Sequence, residues 1–484
     1  MNFFKDKFRI TLLLIVLAEL VSFFCYSMRF VFDLSAIVFG LIFIGMAVLA
    51  AVRPDIALYV ILGELFIGGK GHLLDLNWGG QAVSIRIGLF CAFFLGFSVW
   101  VFRNKKWKEL WSSAVSNKAL LILGAVCLWG LFTAWVNQVG FKDIFLDFNA
   151  WLFFLYFLPF SLIFKNKTHF ESIMQVFSAA IVWIAVKTLF YFYAFTHSLP
   201  IIFDLYKWGR DAGWGEFTLV SGNLFRIFSQ AQLFSMIGFS LFAVCLLLAG
   251  KINWKRDWPL ELATILSASA LIISLSRSFW VGAAFAGLVG VVFAFWKLKL
   301  KIKEALIALI HFILIIVVAY GLVLAVLYFP IPWVDRGSAD LLSSRLKLEA
   351  AASSRQQQLL PLTRAVAVHP VLGSGWGTKV TYFSNDPRIK NVNNPTGEYT
   401  TDAFEWGYLD ILLKIGLIGL LAYAAVVFTA GKNIWQKIIN ASAEEKLIYL
   451  GLFCGLGALL ATHMFSPYLN HPLGIGYILL LLVL

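Results

Sequence analysis

Long apolar runs, separated by short polar segments, extend from one end of the chain to the other. A run of about 20 apolar residues is long enough for a helix to cross a hydrocarbon layer of roughly 30 Å. Because hydrocarbon offers an exposed backbone no hydrogen-bond partner, we expect these runs to be helical. The predicted spans cover residues 10–28, 32–52, 54–69, 85–102, 119–137, 148–165, 170–195, 227–250, 258–275, 278–297, 304–329, 404–431, 446–465 and 472–484. The third and the last are short, so the pattern predicts an all-α, polytopic integral membrane protein with about 12–14 transmembrane helices in one membrane domain, residues 1–484.

Basic residues are concentrated at alternate ends of these predicted spans. They include Lys5, Lys7 and Arg9, the group from Arg103 to Lys108, Lys165 and Lys167, the groups from Lys251 to Arg256 and from Lys297 to Lys303, and Lys432 and Lys437. With fourteen spans every cluster falls on one side of the membrane, which the positive-inside rule identifies as cytoplasmic. The N-terminus is then cytoplasmic. The first run is expected to remain as an uncleaved span, because no small-residue cleavage site follows it.

The same assignment places three segments on the outer side of the membrane. They are residues 196–226, the short turn before Arg277, and the segment 330–403. A connection as long as the last is usually functional or disordered. Residues 339–368 have a helix-like pattern that ends before a proline, so we expect an ordered outer loop that contains helix and returns to the membrane at Phe404.

Composition narrows the classes of function. Hydrophobic residues make up 61% of the chain and charged residues 13%. The net charge of +13 comes mostly from the short loops that set topology, so it does not indicate nucleic-acid binding. The five cysteines all lie in apolar runs and the seven histidines are scattered, so neither a disulfide framework nor a metal-ligand spacing is visible. We therefore expect no metal and no cofactor.

Arg277 is the only charged residue in the segment from Leu271 to Trp280. A guanidinium stays protonated at biological pH, and burying it without a partner costs several kcal/mol. An ionisable group at membrane depth is by default a candidate functional residue. Since no acidic residue lies near it in sequence, the position suggests an anionic ligand.

Three sequence pieces between about residues 220 and 425 resemble the O-antigen ligase and O-antigen polymerase superfamily. The first is Ser274-Leu-Ser-Arg-Ser-Phe-Trp280, and the second is Ser353-Ser-Arg355 followed by His369-Pro-Val-Leu-Gly-Ser-Gly-Trp-Gly377. The third is Tyr408-Leu-Asp-Ile-Leu-Leu-Lys-Ile-Gly-Leu-Ile-Gly419. Their order, spacing and common side of the membrane make the resemblance more specific than any one piece.

The resemblance implies an all-helical, GT-C-like glycosyltransferase of the bacterial cytoplasmic membrane, with its active site facing outward. Such an enzyme moves a glycan from undecaprenyl diphosphate to a glycan, lipid or protein acceptor without a metal, in the synthesis of cell-envelope polysaccharide such as lipopolysaccharide. Within the family, a repeat-unit polymerase that uses a second carrier-linked glycan as its acceptor remains an alternative. A transporter is the alternative from another class, although no paired hydropathy repeat is visible.

Arginines have a clear role in this chemistry. Negative charge develops on the diphosphate as the glycosidic C–O bond breaks, and guanidinium groups stabilise that charge through bidentate contacts. We assign this role to Arg277 and Arg355, with Arg226 as a third candidate at the start of a predicted span. On a helix, Arg345 lies within roughly 80° of Arg355, so we expect it to help bind substrate, whereas Arg364 points to the opposite face.

The chain departs from the family pattern at the start of the third piece. Glu405 and Trp406 stand where the family often has His-Asn, and Lys414 stands where an acidic residue is common. The role of the family's histidine in acceptor attack then passes to Glu405 or to nearby Asp402, and Tyr408 is a candidate substrate contact at the same place. A carboxylate at a membrane boundary is suited to accept the proton of a sugar hydroxyl.

Each assignment has a structural alternative. Arg277 could reach the headgroups from the end of a hairpin, Arg226 could anchor a span at the interface, and Arg355 could lie on a solvated helix face. Glu405 could be an acidic residue near a helix N-terminus, where negative charge is favourable. The charged residues inside predicted spans, Glu19, Glu64, Lys187 and Lys414, are expected to form a buried pairing network.

Overall fold

Helices account for most of the computed structural model, which describes residues 3–29, 33–249, 254–297, 299–330, 350–386 and 389–484. The first group is α1 (Asp6–Met28), α2 (Leu34–Val52), α3 (Pro54–Ile67), α4 (Ile85–Arg103), α5 (Trp107–Ser116), α6 (Lys118–Val136), α7 (Phe141–Phe148), a 3₁₀ helix (Asn149–Tyr156), α8 (Phe157–Ile163), α9 (Lys167–Thr196) and α10 (Ile202–Asp211). They are followed by α11 (Gln232–Leu247), α12 (Trp254–Ser274), α13 (Arg277–Trp296), α14 (Ile302–Tyr328), α15 (Ala350–Val368), α16 (Gly407–Asn440), α17 (Ala443–His463) and α18 (Pro472–Val483). The predicted all-α class is confirmed.

Every predicted span coincides with a helical segment. Among the described residues, ten segments are long and apolar enough to cross a membrane, the segment Phe141–Ile163 being one of them. The other predicted spans correspond to α3, α11, α12 and α18, of which α11 and α18 are shorter apolar helices. The protein is a multi-pass membrane protein.

Burial separates inner helices from peripheral ones. Residues Gln232–Leu246 of α11 and nearly all of α18 are buried, and α9 packs against α1, α3, α11 and α12. By contrast, α1, α2 and α14 expose rows of Leu, Ile and Val. A helix that is apolar all round is buried in a core, whereas an exposed apolar face of a span contacts lipid. The core therefore lies around α9, α11, α17 and α18.

Two predicted spans differ in their internal geometry. The run predicted at 148–165 is broken into α7, the 3₁₀ helix and α8, and Pro159 lies in the first turn of α8, where its missing N–H is tolerated. The run predicted at 404–431 begins later, at Gly407, and continues to Asn440 through a break at Gly416.

Among the described residues, three small antiparallel hairpins connect the helices, and the sequence analysis did not predict them. They are β1 (Asp75–Trp78) with β2 (Gln81–Ser84), β3 (Gly215–Ser221) with β4 (Leu224–Ser229), and β5 (Val380–Phe383) with β6 (Glu398–Thr401). Each follows an odd-numbered predicted span, so the predicted span order puts all three on one side of the membrane, here named the hairpin face. The backbone N–H of Lys70 donates to the carbonyl of Gly213 over 3.1 Å, which joins the first two hairpin regions directly.

Charged residues inside the helices form separate pairs. Lys187 Nζ lies 2.5 Å from Glu19 Oε2, and Arg86 donates to Glu64 over 2.9 Å. All four side chains are nearly buried, and a buried charge requires such a partner. The expected pairing is confirmed, but as local pairs and not as one network.

The glycine-rich segment 369–377 packs into the break of α16. The N–H of Ser374 donates to the carbonyl of Leu413 over 2.7 Å, and the N–H of Leu417 donates to the carbonyl of Pro370 over 2.9 Å. A Cβ on Gly373 would lie 2.4 Å from the carbonyl oxygen of Lys414, so the two backbones touch only because this residue has no side chain. The segment supplies hydrogen bonds that the interrupted helix would otherwise lack.

Replacing Gly416 with alanine is expected to destabilise the protein by about 1–3 kcal/mol. Gly416 has φ 65° and ψ −171°, a conformation that is essentially restricted to glycine, and an added Cβ would lie 2.2 Å from the carbonyl oxygen of Val371. The measurement is the thermal unfolding midpoint of the purified protein in detergent. Gly431→Ala, later in the same helix, is the control, because its Cβ would meet neighbours at 3.7 Å or more and alanine favours helix. Equal midpoints for the two variants would contradict this account.

Candidate functional site

Arg277 lies at the hairpin face, at the N-terminus of α13. Only Leu275 and Ser276 separate α12 from α13, and Leu275 has a positive φ of 46° that makes the reversal tight. Ser274 and Ser276 are buried, and Arg277 is partly buried. The predicted short turn is confirmed. A helix N-terminus presents free N–H groups and partial positive charge, so an anion bound there would meet both the helix and the guanidinium.

Arg226 lies on a strand, so the prediction that it begins a span is wrong. It occupies β4, paired with Thr218 of β3, and α11 begins six residues later at Gln232. Backbone pairing with β3 holds the chain extended here in place of helix. The Nε of Arg226 donates to the carbonyl of Ser274 over 2.8 Å. The hairpin thus brings a second guanidinium to the turn before Arg277.

Arg355 and Glu405 form an ion pair between α15 and the segment that leads into α16. The guanidinium side chain is 34% exposed and the carboxylate side chain is 49% exposed, so solvent or a ligand can reach both. Trp406 Nε1 donates to the carbonyl of Arg355 over 2.9 Å, and the N–H of Glu405 donates to Gln358 over 3.1 Å. The pair is therefore held on both sides by neighbouring contacts.

The segment 330–403, which the sequence predicts to be an outer loop, is partly described. Helix α15 ends at Val368, as the pattern before the proline predicts, and Pro361 lies inside it without ending it. Arg364 is exposed. Arg345 lies outside the described residues.

The buried Tyr468 packs against the start of α13 and lies near Arg226 and Arg355. Its ring lies 5.6 Å from that of Phe279 in the first turn of α13. Burial raises the pKa of its phenol, the charges of Arg226 and Arg355 lower it, and the charge of Glu216 raises it. These three charged groups therefore lie within electrostatic range of the hydroxyl. Arg226 donates to the carbonyl of Ser274 in the turn before Arg277, and Arg355 is paired with Glu405. Arg226, Arg277, Arg355 and Glu405 are together named the arginine cluster. Tyr468 was not predicted, since its approach depends on α17 and α18.

A cavity of about 880 Å³ lies beside the arginine cluster on the hairpin face and is named the large cavity. Its lining includes the aromatic residues Phe90, Phe141, Phe145 and Phe153 and the polar residues Lys70, Arg86, Asp402, Asp410, Lys414 and His471. The large cavity and the arginine cluster are adjacent. Asp402, Pro467 and Asn470 line the cavity, and they lie in the segments 402–405 and 466–470 that also contain Glu405 and Tyr468. The structure thus places Asp402 at the cavity and Glu405 at the arginine cluster.

The side chain of Tyr408 is held by contacts within the protein. Its hydroxyl donates to the carbonyl of Leu460 over 3.0 Å, and its ring packs edge-on against His463 at 4.6 Å. It faces an apolar groove between α16 and α17 and does not line the large cavity. The structure therefore does not bring Tyr408 together with the arginine cluster, against the expectation that it contacts substrate there.

His471 supplies a neutral donor to the large cavity. Burial, helped by the positive charges of Arg86 and Lys70, lowers the pKa of its imidazole to about 3. Its Nδ1 accepts the N–H of Leu473 at 3.3 Å, so the proton is on Nε2. Sequence reasoning missed this residue, because a single histidine before a proline gives no signal of its partners.

Lys414 borders the large cavity with a side chain that is almost fully buried. Its Nζ lies 2.7 Å from Asp410 Oδ1 and also contacts Asp147, whose other oxygen accepts the N–H of Gly377 over 2.8 Å. Asn470 donates to Asp410 over 2.5 Å. The lysine thus ties α7, α16 and the glycine-rich segment together. Its role in the structure is that of a counterion to two carboxylates.

Residues 262–424 match a family model described as O-antigen ligase. The matched segment extends from α12 into α16 and contains Arg277, Arg355, Asp402 and Glu405, while Arg226 and Tyr468 lie outside it. No curated protein matches the chain.

Proposed function

We propose that the chain transfers a glycan from a polyprenyl diphosphate carrier to an acceptor hydroxyl or amine. The premise is that it belongs to the O-antigen ligase superfamily through residues 262–424. The observation that carries the proposal is that Arg226 contacts the turn before Arg277, while Tyr468 packs on Phe279 of the same helix end and lies within electrostatic range of Arg226 and Arg355. Three guanidiniums at one side of a membrane protein form a site for a highly charged anion. The positive-inside pattern supports an outward orientation for this face.

The arginine cluster would act on the leaving group. As the anomeric C–O bond breaks, the electron pair stays on the diphosphate oxygen, and the carrier leaves as the free lipid diphosphate. Guanidiniums that are already in position stabilise this charge without reorganisation. The N-terminus of α13 adds the positive end of a helix dipole at Arg277.

The acceptor would approach from the large cavity. Its hydroxyl oxygen forms the new bond to the anomeric carbon, and its proton passes to a carboxylate as that bond forms. Asp402 faces the cavity, whereas Glu405 is held in an ion pair with Arg355. We therefore propose Asp402 as the proton acceptor and Glu405 as the residue that positions the Arg355 guanidinium.

Asp402→Asn is expected to lower kcat by about 10²–10⁴-fold with little change in KM, the range typical of a lost general base. Glu405→Gln is expected to raise KM for the carrier-linked donor, because it releases the Arg355 side chain. Steady-state kinetics in nanodiscs measure both effects. Glu398→Gln, exposed on β6, is the control. A loss of kcat in Glu405→Gln with full activity in Asp402→Asn would reverse the two roles.

The reaction itself is tested with purified protein and undecaprenyl-diphosphate-linked glycan. The expected products are free undecaprenyl diphosphate and an acceptor that carries the glycan. A second carrier-linked glycan as the productive acceptor would identify a polymerase, and a different lipid or protein acceptor would identify a ligase. Movement of the glycan into vesicles without release of the carrier would contradict the proposal and favour a transporter.

A further inference from the structure

A second cavity, of about 450 Å³, lies on the hairpin face between the end of α1, the β1–β2 hairpin and α10. This volume lies in the range of about 300–1,000 Å³ that is typical of small-molecule sites. We name it the polar pocket. Its wall includes Tyr26, Arg29, His72, Asp75, Asn77 and Asp211. All of these residues lie outside the segment 262–424 that matches the family model.

Hydrogen bonds hold the polar groups of this pocket in place. Asp211 Oδ2 accepts the Tyr26 hydroxyl over 2.6 Å and an Arg29 N–H over 3.3 Å. His72 Nδ1 lies 2.8 Å from Asp75 Oδ1. These bonds occupy one oxygen of each carboxylate, so the second oxygen retains its capacity to accept from a ligand. The side chain of Asp211 is 59% exposed, which leaves it accessible.

The charge of the polar pocket determines which ligands it fits. Three carboxylates, from Asp33, Asp75 and Asp211, face one guanidinium, from Arg29. A phosphate or diphosphate would be repelled by this excess of negative charge. A ligand with many hydroxyl groups fits, since carboxylates and the Asn77 amide oxygen accept from hydroxyls while Arg29 and the amide N–H groups donate to them. This combination of polar groups suits a sugar.

The polar pocket adjoins the large cavity. His72 lines both of them, and Lys70 lines the large cavity together with a small cavity that includes Arg210 and Glu216. A chain of sugars with its reducing end at the arginine cluster could therefore extend past Lys70 and His72. The opposite charges of the two ends would orient it, with the diphosphate at the arginines and neutral sugars at the carboxylates.

We propose that the polar pocket is a glycan subsite that binds a sugar residue remote from the bond that reacts. The proposal rests on the proposed function, because it takes the carrier-linked glycan as the ligand. It assigns a substrate-recognition role to the N-terminal part of the chain. Recognition here would select for the length of the glycan and would not contribute to bond breakage.

The test compares two donors, undecaprenyl diphosphate with a complete glycan repeat unit and the same carrier with only its first sugar. The wild-type protein is expected to prefer the complete glycan. Asp211→Asn is expected to lower kcat/KM about tenfold for the complete glycan and to leave the truncated donor unchanged, since the loss of a hydrogen bond to a charged group corresponds to roughly that factor. Asn77→Ala, an exposed position on β1, should act in the same direction without disturbing the Arg29 ion pair.

Asp204→Asn is the matched control, because Asp204 is exposed on the same helix as Asp211 and lies outside the cavity walls described above. Equal losses for both donors, or no loss for either donor, would overturn the subsite. A preference that disappears when calcium is removed would also overturn it, because the carboxylates would then be binding a cation. If the wild-type protein releases carrier diphosphate from neither donor, the proposed function fails, and that result is distinct from all the others.

Discussion

Arg277→Ala is expected to reduce the rate of glycan transfer by about 10²–10³-fold, the loss typical when one positioned electrostatic donor is removed from an active site. Arg277 begins α13 at the hairpin face, three residues after the carbonyl that accepts from Arg226 and within one turn of the Phe279 contact with Tyr468. A neutral side chain there would leave the developing diphosphate charge with two guanidiniums in place of three. The effect should fall mainly on kcat, because the charge is greatest in the transition state.

Release of free undecaprenyl diphosphate from the purified protein measures this effect. Arg277→Lys keeps the charge but loses bidentate contact, so an intermediate rate is expected. Arg364→Ala removes an exposed arginine of α15 and should leave the rate unchanged. Size-exclusion profiles and unfolding midpoints separate a catalytic loss from a folding loss. Full turnover in Arg277→Ala would remove Arg277 from the site.

The sequence predicted the helices because membrane helices are determined by a simple physical requirement. A backbone in hydrocarbon must form its own hydrogen bonds, so a long apolar run has one stable structure. Each predicted span therefore corresponds to a helical segment, including the short α3 and α18. The turn before Arg277 was predicted for the same reason, since two apolar runs of full length leave few residues to connect them.

The breaks and hairpins were not predicted because they depend on distant partners. Gly416 looks like an ordinary helix glycine in sequence, and the segment that replaces its helical hydrogen bonds lies about 45 residues earlier, near Val371. Arg226 was assigned to the start of a span because apolar residues surround it, yet its pairing with Thr218 makes it part of a strand. Apolar character alone does not distinguish these cases.

The candidate site was predicted only as far as its arginines. Arg277 and Arg355 were identified from motifs and Glu405 from the position where the chain departs from the family pattern, and the ion pair between Arg355 and Glu405 gives the last two a direct contact. Tyr468 and His471 reach the site because α17 and α18 pack beside α16, and no local pattern marks them. The partners of Lys414 were missed because Asp147 lies far away in the chain, although Asp410 one helical turn earlier offered a partial signal.

Lys414→Met is expected to destabilise the protein by about 3–5 kcal/mol, the range found when one partner of a buried ion pair is removed. The side chains of Lys414, Asp147 and Asp410 are only 4%, 9% and 5% exposed. Methionine fills a similar volume but leaves two carboxylates buried next to each other without a counterion. The contact of Lys414 with Asp147 of α7 would be lost. Asp147 also accepts the hydrogen bond from Gly377 that holds the glycine-rich segment, so that segment would lose its support. The unfolding midpoint in detergent and the urea dependence of fluorescence measure the change.

Neutralising the carboxylates provides the decisive comparison. Lys414→Met combined with Asp147→Asn and Asp410→Asn should recover most of the lost stability, because no uncompensated charge then remains in the interior. Lys379→Met is the matched control, since Lys379 forms an ion pair with Asp143 on the same helix as Asp147 but is 44% exposed, and exposed pairs contribute little. If Lys414→Met and Lys379→Met shift the midpoint equally, burial of the charge does not explain the role of Lys414. If the triple variant is no more stable than Lys414→Met, the lysine acts through its packing and not as the counterion of Asp147 and Asp410.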